Sequence, residues 1–134
     1  DSCKNIIQAQ VDVLITAAIP DVIKAGDIGS VRAKLIVEGS NIPMTEQVEE
    51  LLYKKGVLVV PDFVANAGGV ISSYVEYIGG NEKKMFKLVE EKVCRNTELV
   101  LNHAEKKRKY PRAAALEIAQ KRVLEKCKIC AVNL

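Results

Sequence analysis

Three short runs, Val11–Thr16, Lys34–Val37 and Val57–Pro61, limit the folds open to this chain more than anything else in it. Each is rich in β-branched residues and nearly all apolar, with little alternation. That pattern predicts strands buried on both faces, as in a parallel sheet. The runs begin at residues 11, 34 and 57. Such spacing is too long for hairpins and long enough for crossovers that bring each strand back parallel to the last.

The intervening and following segments carry helical signals. A short helical turn is expected over Asp21–Gly26, after Pro20. The stretch 45–55 predicts a helix with Thr45 as N-cap, glutamates in its first turns, two lysines at its end and Gly56 as its stop. After Pro61 the pattern is helical throughout. Segment 66–78 opens on Gly68-Gly69, and segment 82–109 repeats Phe86, Val89, Val93, Leu99 and Val100 at spacings of three and four. Segment 111–130 starts with Pro111, a good first helical residue. The whole reads as β-α-β-α-β followed by three helices, one domain over residues 1–134.

Composition narrows the function classes. Aromatic residues are 4% and Trp is absent, which suits an aliphatic α/β core and disfavours a nucleic-acid site built on stacking. The net charge of +3, from 20 basic and 17 acidic residues, is too small to imply a polyanion partner. No apolar run approaches the length of a membrane span. Cys3, Cys94, Cys127 and Cys130 are too scattered for a secreted disulfide framework, so a reducing, cytoplasmic compartment is expected. No signal peptide is visible, and a start at Asp1 instead of Met suits a piece of a longer protein.

In a parallel α/β sheet, ligands bind beyond the carboxyl ends of the strands. The three ends here read Thr16-Ala17-Ala18, then Glu38-Gly39-Ser40-Asn41, then Asp62 through Asn66-Ala67-Gly68-Gly69. All are small or polar. Asn41 and Asn66 each offer an acceptor and two donors, suited to ribose hydroxyls and a carboxamide. Gly68-Gly69 leads into a helix whose free amides favour anions. Gly and Asn are also ordinary turn residues, so pattern alone leaves a nucleotide site and plain turns both open. There is no G-x-G-x-x-G, and thus no phosphate half of a dinucleotide fold. A half-sheet of this kind would leave an edge or a face uncovered.

The stretches Asp12–Ala18, Ile36–Pro43 and Val59–Tyr74 together resemble the glutamate/leucine/phenylalanine/valine dehydrogenases. Within Val59–Tyr74 runs a long Pro-Asp-x-x-x-Asn-Ala-Gly-Gly-Val signature, and Arg112-Ala113-Ala114 with Arg122-Val123 resembles the family's C-terminal helix. The Glu-Gly-x-Asn-x-Pro loop and the Ser-Tyr-x-Glu continuation fit the glutamate dehydrogenase branch. Ser40, Met44 and Tyr77 stand where that family usually has Ala, Thr and Trp.

The resemblance implies the C-terminal part of a dinucleotide-binding domain: a partial Rossmann-like fold followed by C-terminal helices. It further implies NAD or NADP as cofactor, with Ala17, Asn41 and Asn66 contacting it. Val70 and Ser73 would line a pocket for glutamate or 2-oxoglutarate, Ser73 donating to the side-chain carboxylate. The whole enzyme would oxidatively deaminate glutamate and form a homo-oligomer. The family's catalytic lysine and aspartate have no match here, so no residue is assigned as catalytic and the chain alone is expected to be inactive. The alternative, from another class, is a non-catalytic binding or assembly module derived from such an enzyme.

Other signals read as structural. Cys127-x-x-Cys130 lacks the second ligand pair of a metal site. His103 is expected at a solvated or core-edge position. The basic run Lys106–Lys109 is expected to complement a helix dipole rather than bind nucleic acid. Asp62 fits a ligand contact or a helix cap equally.

Overall fold

The apolar runs form three parallel strands in a single sheet, β1 (Val13–Thr16), β2 (Leu35–Glu38) and β3 (Leu58–Val60), in the order β1-β2-β3. The computed structural model describes residues 4–127. A short helix, α1 (Lys4–Ile7), precedes β1. In register, Leu14 stands beside Ile36 and Ile36 beside Val59. These three side chains point the same way and are buried together with Val48 and Leu52 of α2 (Glu46–Lys54) and with Ile23, Val31 and Met44 from the loops. Each such fully buried aliphatic side chain contributes about 1.5–3 kcal/mol through removal from water.

The opposite face is covered only in part. Val60 packs with Val64 of α3 (Asp62–Ala65), Val100 of α5 (Glu82–Lys107) and Ala115 of α6 (Pro111–Lys126). Those helices cover β3 and reach Leu35 of β2. They do not reach β1, where Val13 and Ile15 are 48% and 63% exposed. The expectation of strands buried on both faces therefore fails for β1. Ile15, Ala17 and Ile19 instead line an apolar groove of about 480 Å³ with Ile6 of α1, and the outer edge of β1 has no neighbouring strand among the described residues.

The helix signals near α2 hold with one change. Thr45 is the extended N-cap residue, but its side chain makes no capping bond. The stop is a Schellman turn. Gly56, at φ +89°, donates to Tyr53 O at 2.9 Å, and Val57 donates to Leu52 O at 2.9 Å. Glycine is needed there because a side chain is strained in the left-handed region.

The turn expected over 21–26 is displaced. A 3-10 turn occupies Ala25–Ser30, with Asp27 Oδ2 accepting the Lys24 amide at 2.9 Å. Segment 66–78 holds one helix, α4 (Gly68–Tyr77), capped by Ala67 and Ile78. The short α3 before it, after Pro61, is an additional element that the pattern does not mark separately. The long helix α5 closes with Arg108 in the left-handed region and Lys106 and Lys107 in its last turn, as a dipole-complementing basic run should. Among the described residues no helix is long and apolar enough to cross a membrane.

Candidate functional site

Because the strands are parallel and in order, their carboxyl ends deliver three loops to one sheet edge. The loop after β1 meets the loop after β2 directly. Ser40 N donates to Thr16 O at 2.7 Å, and a Cβ on Gly39 would stand 3.2 Å from Ala17 Cβ and 3.3 Å from Thr16 O. A side chain there would oblige these two ends to give by a few tenths of an ångström. Ala17 is exposed beside them.

The loop after β2 meets the segment after β3. Asn66 Nδ2 donates to Asn41 Oδ1 at 2.7 Å. Asn66 caps the C-terminus of α3 and is half-buried, while Asn41 is exposed. Each amide keeps groups free for a further partner. The loop that carries Asn41 holds Ile42 at φ +49°, a strained conformation for a β-branched residue. Ile42 N donates to Asp62 Oδ2 at 2.9 Å, and Ile42 O accepts from Asp21 N at 3.0 Å.

Val70 and Ser73 lie three positions apart on α4, the helix that begins two residues after Asn66. Val70 is 78% exposed. The Ser73 hydroxyl donates to Gly69 O at 3.1 Å, within its own helix. Ser73 sits in the second turn of α4, so the free amides of the helix start belong to the Gly68-Gly69 region and not to Ser73 itself.

Asp62 resolves in favour of structure. Its carboxylate accepts from Ile42 N, from Phe63 N (2.8 Å) and from Arg112 Nη2 (2.8 Å), and it is nearly buried. Its own amide donates to Glu38 Oε2 at 2.8 Å. Arg112 also donates through Nε to Glu49 Oε1 (2.5 Å) and through Nη2 to Glu38 Oε2 (3.0 Å). One guanidinium thus serves three buried carboxyl groups. Burial pushes Glu38 up to about 7. Burial, with the nearby charge of Glu38, pushes Glu49 up to about 8. Burial works against the Asp62 carboxylate as well, but hydrogen bonds from the Ile42 amide, Arg112 and the Phe63 amide outweigh it and hold that group below its ordinary range. Glu38 Oε1 and Glu49 Oε2 are buried without a protein partner, as is Thr16 Oγ1, which suits neutral carboxyl groups better than charged ones.

Glu38, Glu49 and Arg112 were not picked out from the residues as site-forming. A signal existed for the first two. Glu38 continues the inward alternation of Ile36, and Glu49 shares the buried side of α2 with Val48 and Leu52. His103 is partly buried at the α5–α6 contact, 3.0 Å from Glu117 Oε2, in keeping with a core-edge role. Lys109, from the basic run, also pairs with Glu117. The reading of Cys127-x-x-Cys130 falls partly on Cys130, which lies outside the described residues, as does Cys3. Among the described residues no group of three or more His, Cys, Asp or Glu is placed to hold a metal ion.

The sequence and fold of this chain are similar to those of known proteins. The glutamate dehydrogenase of Aeropyrum pernix is 41% identical across 96% of this chain, which matches 33% of that protein. The NADP(+)-dependent glutamate dehydrogenase of Pyrobaculum calidifontis is 51% identical across 58% of the chain and 18% of its own length. Among solved structures, L-tryptophan dehydrogenase from Nostoc punctiforme superposes with a TM-score of 0.84 at 30% identity, over 91% of this chain and 37% of that one. The hetero-hexameric glutamate dehydrogenase of Thermus thermophilus gives 0.84 at 26% identity, over 96% and 32%. The three parallel strands and their helices are thus part of a Rossmann-like dehydrogenase fold. The chain spans about a third of the length of the first of these curated relatives. The family model for Glutamate/Leucine/Phenylalanine/Valine dehydrogenase matches residues 1–129, and the chain belongs to that family of oxidoreductases.

Proposed function

We propose that this chain is the nicotinamide-side segment of an NAD- or NADP-dependent glutamate dehydrogenase, an enzyme that converts L-glutamate to 2-oxoglutarate and ammonia. The observation that carries this reading is the Asn41–Asn66 pair at the carboxyl edge of a parallel sheet. Two amides with spare donors and acceptors, beside a tight Gly39–Ala17 approach, suit a flat carboxamide and ribose hydroxyls. In this reading Asn41, Asn66 and Ala17 hold the cofactor, which when bound supplies the hydride acceptor. Val70 and Ser73 line the substrate pocket, Ser73 turning its hydroxyl from Gly69 O to the substrate carboxylate. No residue of the chain is assigned as catalytic, and the isolated chain is inactive.

The open edge of β1 and the exposed Val13 and Ile15 meet the rest of the enzyme in this reading. The assembled enzyme is a homo-oligomer in this reading; the hetero-hexameric Thermus thermophilus relative supports oligomerisation, though not of identical chains. In this reading the enzyme is cytoplasmic, which the scattered cysteines support.

The test has two arms. NADH and NADPH are titrated against the chain and its Asn66→Ala variant, where weak binding is expected to drop by about 5- to 150-fold, the effect of removing a hydrogen-bond partner worth about 1–3 kcal/mol. This chain is also substituted for the matching third of the Aeropyrum pernix enzyme, and glutamate oxidation is expected from the chimera. A folded chimera without activity, together with no nucleotide binding, overturns the reading in favour of a non-catalytic assembly module.

A further inference from the structure

The backbone beside each asparagine of the cleft is tied to Asp62. Asn66 N donates to Asp62 O at 2.8 Å, and the residue after Asn41 donates its amide to Asp62 Oδ2 at 2.9 Å. Asp62 has no freedom of its own. Its amide is tied to Glu38 Oε2 at the end of β2, and its Oδ1 to Arg112 Nη2 on α6. The guanidinium lies 5.3 Å from the centre of the Phe63 ring, and Glu49 of α2 fixes its Nε. Three elements, β2, α2 and α3, therefore converge on the Arg112 side chain of α6, which is joined to the Asn41 loop by way of Asp62.

We propose that Arg112 is a positioning residue for the Asn41–Asn66 pair, setting both amides from α6 by way of Asp62. The proposal rests on the reading of that pair as the cofactor site. Stability alone does not require this cluster, since apolar residues of similar volume pack a buried site as well as ions do or better. What the guanidinium adds is direction. Its rigid fork reaches Glu49 on one side and Glu38 and Asp62 on the other, which leaves Asp62 Oδ2 for the Ile42 amide. That bond holds Ile42 at φ +49° against its own preference, so the Asn41 loop needs an external restraint to keep its shape.

The experiment uses the nitrogen-15-labelled chain, with NMR signals from the Asn66 side-chain amide and the Ile42 backbone amide. They are followed in the wild type, Arg112→Gln and Arg112→Lys, well below each unfolding midpoint. In folded Arg112→Gln the Asn66 signal is expected to move to the position of an unbonded amide. Ile42 is expected to exchange about tenfold faster, the ratio equivalent to one lost hydrogen bond. Arg112→Lys keeps the charge without the fork, and should move the same two signals while those of α5 stay in place. If Arg112→Gln does not fold, Arg112→Lys carries the test alone. Unchanged Asn66 and Ile42 signals in a folded variant overturn the proposal and leave Arg112 a structural tie.

A parallel NADH titration should show about a fivefold loss in Arg112→Lys, less than the effect of removing an amide outright. Should the wild type bind no nucleotide, the chimera decides the cofactor reading, while the two NMR signals still decide whether Arg112 positions the pair.

Discussion

Asn41 and Asn66 stand 25 residues apart in sequence and 2.7 Å apart in space, with Nδ2 of the second donating to Oδ1 of the first. The contact has a polarity, and so do its consequences. Asn41→Asp keeps an acceptor in place and should alter stability by no more than about 0.5 kcal/mol, as exposed substitutions do. Asn66→Asp sets oxygen against oxygen and should cost about 1 kcal/mol more, the worth of one hydrogen bond. Urea unfolding of the two variants checks this. Equal losses would mean that the pair contributes nothing through its orientation.

The Arg112 cluster makes stability depend on pH, with a definite sign. Glu38 and Glu49 are raised from 4.5 to about 7 and about 8, so the folded chain keeps two protons that the unfolded chain has released. Their contribution is fully present below pH 4.5. It is lost as pH rises to about 8, by at most about 1.4 kcal/mol per pH unit for each proton, and then levels off. Asp62 acts the other way. Its lowered value favours the fold above its ordinary 3.8, and that contribution fades as pH falls further. Thermal unfolding in Glu49→Gln, which mimics the protonated form, should show a shallower fall between pH 5 and 8 than the wild type. A parallel fall in both proteins would remove Glu49 from the account.

Gly39 tests the approach of the first two loops. Its missing Cβ would lie 3.2 Å from Ala17 Cβ and 3.3 Å from Thr16 O. A β-branched residue there must push β1 and β2 apart at their ends. Gly39→Val is expected to lower stability by about 1–3 kcal/mol, the usual effect of overpacking. The measurement is the urea midpoint, and Gly39→Ala should fall between the two.

The exposed Ile42 offers a gain instead of a loss. At φ +49° a β-branched side chain is unfavourable by about 1–2 kcal/mol, a penalty that Asn largely escapes. Ile42→Asn should raise the unfolding free energy by about 1 kcal/mol while retaining the amide bond to Asp62. Calorimetry decides between this gain and none.

The sequence made some of these features readable and concealed others, for physical reasons. β2 and β3 could be read because β-branched apolar residues settle into pleated, covered surfaces. Asn41 and Asn66 could be read because parallel topology sends every strand end to the same edge. The exposure of β1 could not be read from its own residues. Val13 and Ile15 are as apolar as their counterparts in β2, and what covers a strand is decided by other elements. The separate α3 could not be read, because four residues are too few to show a helical period. The Arg112 cluster was the least legible, since its contacts join residues 50, 63 and 74 positions apart and no local pattern announces them.

Those same separations bear on when the site matures. A chain growing from its first residue completes the sheet and both asparagine loops while α6 is still unmade. Closing loops of such length is slow compared with local pairing. Until α6 docks and its guanidinium reaches the strand ends, the recess is outlined but unlatched. In the proposed reading, readiness to hold a ligand waits on a helix made after every loop that would touch it.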